Sequence, residues 1–143
     1  MESYPEPVTK QSTKKILEQM DNSIYKINTK NGKYDIGIFC KIKIRNVNIP
    51  VFITSFKIFK EKNILENNKI KVSIGNKIEI ITLGDKKYFN EELDISVLEI
   101  KENKNNKISY LELDDILYEK EPEIFYNKET IYILHYIINP INF

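Results

Sequence analysis

The chain has 143 residues, 41% hydrophobic and 30% charged, which suits one domain with its own core. Its 22 basic and 21 acidic residues leave a net charge of +1, with lysine interleaved among Glu and Asn, so no concentrated basic face for nucleic acid is expected. No apolar run reaches the roughly 20 residues of a membrane helix, the first ten residues lack the apolar stretch of a secretory signal, and the single cysteine rules out an internal disulfide; together these place the chain, as an expectation, in a cytoplasmic or other intracellular assembly.

Residues 1–11, with two prolines and few apolar groups, read as an N-terminal arm, and residues 12–143 as a single domain. Ser12 or Thr13 is expected to cap a short helix through Met20, with Ile16, Leu17 and Met20 on its apolar face and Asn22 ending it. From Ile24 the hydrophobic period changes to two. Ile24-Tyr25-Lys26-Ile27 reads as a strand, and Thr29-Lys30-Asn31-Gly32-Lys33 as a turn with an Asn-Gly signal. Residues 36–44 form the next strand, with Cys40, Ile42 and Ile44 on one side and Lys41, Lys43 and Arg45 on the other. Asn46-Val47-Asn48 is the expected connection to the strand Ile49-Pro50-Val51-Phe52-Ile53-Thr54.

A second meander follows. Residues 69–74 and 78–83 pair through Gly75-Asn76-Lys77. Gly84-Asp85-Lys86-Lys87-Tyr88-Phe89-Asn90 reads as a loop, residues 94–100 as a strand, and residues 102–107 as a charged loop. Residues 111–123 are mixed and acidic, with some helical character, and residues 131–138 are strongly β-forming. Strand and turn signals about every ten residues indicate a small antiparallel barrel or sandwich.

Three pieces of the sequence carry a resemblance. Gly37-Ile38-Phe39-Cys40, then Ile53-Thr54 leading into a polar bend at Ser55-Phe56-Lys57, then Asp94 opening an apolar strand, follow the order of the first half of a trypsin-like serine protease. Asp35-Ile36 replaces the Gly-Thr that precedes the first of these in that family. The resemblance implies a mostly β fold: a six-stranded antiparallel Greek-key barrel, half of the family's double barrel, preceded by a short helix. It implies that Lys57 occupies the position of the catalytic histidine and Asp94 that of the aspartate. Tyr132-Ile133-Leu134-His135-Tyr136 is similar to the first strand of the second barrel, but no Gly-x-Ser-Gly occurs in the chain. A lysine cannot do the histidine's proton chemistry without a very large pKa depression. No intact catalytic residue is therefore expected. Lys57 and Asp94 are expected to lie close together as an ion pair.

The remaining candidates read as structural. Cys40 is expected to be a small buried hydrophobe. His135, the sole histidine, sits among apolar neighbours; it could pair with Cys40, but a role in core or rim is favoured. No metal or cofactor is expected: a lone histidine gives no His cluster, and the acidic set Glu112, Asp114, Asp115, Glu119, Glu121 and Glu123 lacks a calcium-loop pattern. The leading functional expectation is a non-catalytic interaction or structural module with a protein partner or a second copy, within a larger assembly such as a virus particle. The alternative is one part of a split or truncated serine protease whose nucleophile lies on another chain.

Overall fold

The computed structural model describes residues 9–28, 34–60, 67–74, 77–102 and 108–113. The expected turn at 29–33, the acidic stretch from 114 and the β-forming run at 131–138, with His135, lie outside these residues.

Helix α1 (Lys10–Ser23) starts earlier and ends later than the sequence suggested. Thr9 caps it: its Oγ1 accepts the Ser12 N–H at 3.1 Å, and its carbonyl accepts the Thr13 N–H at 3.0 Å. Thr9, Ser12 and Thr13 are all capping residues, and the first that can close a turn takes the role. Asn22 does not stop the helix, because its Nδ2 donates to the Glu18 carbonyl at 2.7 Å. Ile16 and Met20, one turn apart, are half-buried, whereas Leu17 is exposed.

The helix runs directly into β1 (Ile24–Asn28). Strands β2 (Tyr34–Ile44) and β3 (Val47–Thr54) form a hairpin whose turn is Arg45–Asn46, one position before the expected connection. Both turn residues have positive φ, 47° and 65°, the pattern of a two-residue hairpin turn that matches strand twist. A four-residue helix, α2 (Lys57–Lys60), follows. Strand β4 (Lys69–Ile74) falls where the sequence placed it.

Strand β5 (Lys77–Asn90) overturns the loop expected at 84–90. Its first half pairs with β4 and its second half with β6 (Ile95–Ile100). The register shifts between Leu83 and Lys87, so the strand bends there and changes partner. Glu99 on β6 holds the bend, its carboxylate accepting the Lys86 N–H at 2.9 Å. A charged, glycine-containing strand segment on the barrel surface is indistinguishable from a loop by composition. Residues 111–112, expected in a mixed or helical stretch, form the short strand β7 (Leu111–Glu112), parallel to β2 at Cys40 and Lys41.

The ladder runs β1-β4-β5-β6-β3-β2, and β2 pairs back onto β1, closing a six-stranded antiparallel barrel. The spatial order β3-β6-β5-β4 is a Greek key. The interior is filled by Tyr25, Ile27, Phe39, Phe52, Ile58, Ile70, Val72, Ile81, Leu83, Leu98 and Ile100. Its centre is aromatic: Phe39 packs on Phe52 with ring centroids 4.6 Å apart and edge-on to Tyr25 at 4.8 Å. Cys40 belongs to a second cluster on the outer face, with Ile49 and Val51 beneath Leu111 and Leu113.

Gly37 is required by close approach, since a Cβ there would lie 1.9 Å from Phe52 Cζ at the barrel centre. At Gly84 the nearest obstacle is the surface side chain of Glu99, 2.6 Å away. Gly37→Ala is expected to destabilise the fold by about 1–3 kcal/mol through overpacking, and Gly84→Ala by less. Urea denaturation of both variants checks the order.

Candidate functional site

Residues that follow β3 and precede β6 meet at one rim of the barrel because Thr54 and Ser96 are cross-strand partners. Lys57 lies three residues past Thr54 and Asp94 two before Ser96. The structure brings them together: Lys57 Nζ is 3.0 Å from Asp94 Oδ2, and the Lys57 N–H donates to Asp94 Oδ1 at 3.1 Å. The Asp94 carbonyl accepts the Phe56 N–H at 3.2 Å, and its own N–H donates to the Glu91 carbonyl at 3.2 Å. Asp94 has φ 53°, a left-handed conformation that aspartate tolerates better than most residues. One residue thus ties the start of α2 to the start of β6 through backbone and side chain together.

The pair is open to solvent. The Lys57 side chain is 78% exposed and that of Asp94 33%. Hydrogen bonding from Lys57, opposed in part by desolvation and supported by its charge, holds the Asp94 carboxyl below the usual carboxylate range. The ammonium has three donors and no acceptor, and the exposed setting provides none of the apolar enclosure of a reactive lysine.

Beside this pair, Ser55 Oγ donates to Asp35 Oδ2, while Asp35 Oδ1 accepts the Ile36 N–H at 2.7 Å. Thr54 Oγ1 donates to the Ile36 carbonyl at 3.0 Å. These bonds lash the end of β3 to the start of β2. Sequence reasoning missed the Asp35–Ser55 pairing, because the partners are 20 residues apart and neither belongs to a local motif. Phe89 packs against Phe56 and Phe59 at 6.1 and 5.5 Å, and the neighbouring turn presents Leu93 to solvent. The rim therefore combines an ion pair with aromatic and aliphatic surface.

Elsewhere, an open groove of about 560 Å³ lies between α1 and residues 109–113, lined chiefly by polar groups such as Glu18, Gln19, Asn22 and Ser109. Tyr110 at its edge is pushed up to about 12 by burial, then by Glu102 and Tyr25. Lys41 Nζ sits 5.0 Å over the Tyr110 ring and 3.5 Å from Glu102. Cys40 is fully buried, and burial raises its thiol pKa. His135 lies outside the described residues, so the structure does not bear on the Cys40–His135 pairing. Among the described residues no group of three His, Cys, Asp or Glu side chains is gathered to hold a metal, and no described helix is long and apolar enough to cross a membrane.

Compared with protein-family models, curated proteins and solved structures, the chain has no match.

Two outcomes are expected. Because the Asp94 pKa is lowered in the fold, its contribution to stability is present above the ordinary carboxylate range and is lost as pH falls through the lowered value. Denaturation of the wild type and Asp94→Asn, from about pH 6 down to about pH 2, should show a stability gap that narrows with acid. Cys40 should resist alkylation in the native protein and react only in denaturant; rapid native labelling would contradict its burial.

Proposed function

We propose that the chain is a trypsin-like barrel that serves as a protein-interaction or structural module and carries out no proteolysis. The observation that carries this reading is the 3.0 Å ion pair between Lys57 and Asp94 at the barrel rim. By resemblance these are the positions of the catalytic histidine and aspartate. In a serine protease the histidine accepts the serine proton and the aspartate orients it. A lysine ammonium held by the aspartate has no lone pair with which to accept that proton. The chain also has no Gly-x-Ser-Gly. Losing base and nucleophile together forfeits roughly 10⁶-fold in rate, by analogy with triad knockouts. The Greek-key strand order supports the resemblance at the level of fold alone.

What remains at this rim is surface suited to association. In the double-barrel family a second barrel covers the first. Here Phe89 packs on Phe56 and Phe59, next to Lys57 in sequence, and Leu93, the residue before Asp94, is 64% exposed. Apolar surface rimmed by charge is the usual form of a protein-binding patch. The partner is another protein or a second copy of this chain. The near-neutral net charge gives no support to nucleic acid. The single free Cys40 fits a reducing, intracellular assembly.

The test combines chemistry and association in the 143-residue chain. A fluorophosphonate probe is expected to label neither the wild type nor Lys57→His above the heat-denatured background. Sedimentation is expected to show self-association or a co-purifying partner, and Leu93→Lys is expected to abolish it with the circular dichroism unchanged. A partnerless monomer would contradict the proposal. So would probe labelling of a native complex that depends on this chain, which is the signature of a split protease.

A further inference from the structure

Strand direction alternates around the barrel, so β2, β4 and β6 all run the same way. The β2–β3 turn, the β4–β5 connection and the end of β6 therefore lie at one end, opposite the Lys57–Asp94 rim. Strand β6 stops at Ile100, whose partner on β5 is Leu83, and Glu99 is opposite Val51 on β3. The first residues of β5, from Lys77, and of β3, from Val47, run on past these partners. Two hairpins thus reach beyond the end of β6.

Both hairpins carry the same two kinds of side chain. Ile44 and Val47 flank the turn of the first and are 48% and 59% exposed. Ile78 and Ile80 stand beside the connection in the second and are 59% and 61% exposed. Exposed cationic residues lie next to each pair: Lys43 and Arg45 in the first hairpin, Lys77 and Lys71, the partner of Ile80, in the second. Residues 41–50 contain no acidic group, and residues 69–82 contain one, Glu79. Glu79 pairs with the core residue Val72, so it shares the inner face. The opposite end differs, with Asp35 at the start of β2 and Glu91, Glu92 and Asp94 between β5 and β6.

We propose that the hairpin end of the barrel is a docking surface for an anionic lipid bilayer. The occupant is set by charge complementarity combined with apolar projection. The cations meet negative headgroups, and the four aliphatic side chains enter the boundary between headgroups and acyl chains. A nucleic acid would use the cations but leave the aliphatic groups against phosphate. An apolar groove on a protein would use the aliphatic groups and leave the cations unmatched. A negatively charged bilayer takes both. This is attachment to a surface, with no segment spanning the bilayer. None of the residues at the Lys57–Asp94 rim takes part, so the inference stands whether or not that rim binds a protein.

The test sediments the 143-residue chain with vesicles of phosphatidylcholine, with and without phosphatidylserine. Co-sedimentation is expected with the anionic vesicles only, and it is expected to weaken as salt rises. Arg45→Asn removes one charge and keeps a residue suited to the positive-φ turn. It is expected to weaken binding about fivefold, and so is Lys77→Gln. Ile44→Ser combined with Ile80→Ser is expected to weaken binding further, with the circular dichroism unchanged. Leu93→Ser, at the other end, is expected to leave vesicle binding as it was. Absence of binding, equal binding to neutral vesicles, or binding untouched by the hairpin variants would overturn the proposal. So would binding of duplex or single-stranded nucleic acid with none to vesicles.

Discussion

The structure depends on one contact: the ring of Phe52 reaches the barrel centre through the space that any side chain on Gly37 would fill. This leaves room for Phe52 to pack against Phe39 at a tilt, with Tyr25 from β1 set edge-on against Phe39. Each such aromatic pair contributes about 0.5–1.5 kcal/mol beyond its area. The same close packing lets β2 pair with β1 through its first half and with β3 through its second, which closes the sheet. The pairing of β3 with β6 sets Thr54 opposite Ser96, and that register brings the bend after β3 within reach of the turn before β6. The Lys57–Asp94 pair is thus a consequence of how the core is filled.

A second constraint acts from outside. The run Ile49-Pro50-Val51-Phe52-Ile53 has apolar residues on both of its faces, as in strands buried on two sides. Phe52 points into the barrel core, while Ile49 and Val51 point out to the cluster under Leu111 and Leu113. The barrel is therefore not a finished surface by itself. Its outer face carries apolar side chains, and its rim carries the Lys57–Asp94 ion pair.

Much of this was legible in the sequence. Period-two patterning located β1 to β4 and β6 to within a few residues, since each strand has one face committed to the core. The proximity of Lys57 and Asp94 was expected, and the structure sets them 3.0 Å apart. What escaped has a physical reason in each case. The second half of β5 carries Gly84, Asp85, Lys86 and Lys87, which read as a loop; the segment is a strand because the register shift and the Glu99–Lys86 bond allow it to bend onto β6. The start of α1 was a choice among three capping residues that only geometry decides. Strand β7 is two residues long and owes its existence to a parallel partner some 70 positions away, Cys40↔Leu111, which no local pattern encodes. The Asp35–Ser55 bond is non-local in the same way.

Closure of the ladder is the claim on which the architecture rests. It is tested most directly by solution NMR across the seam between β1 and β4, where Lys26 faces Ser73 and Ile27 faces Val72. Cross-strand proton contacts at these two pairs, together with slow amide exchange along β1, are the expected result. A protein in which β1 contacts β2 but shows no contact with β4 would have an open sheet, which would contradict the closed barrel.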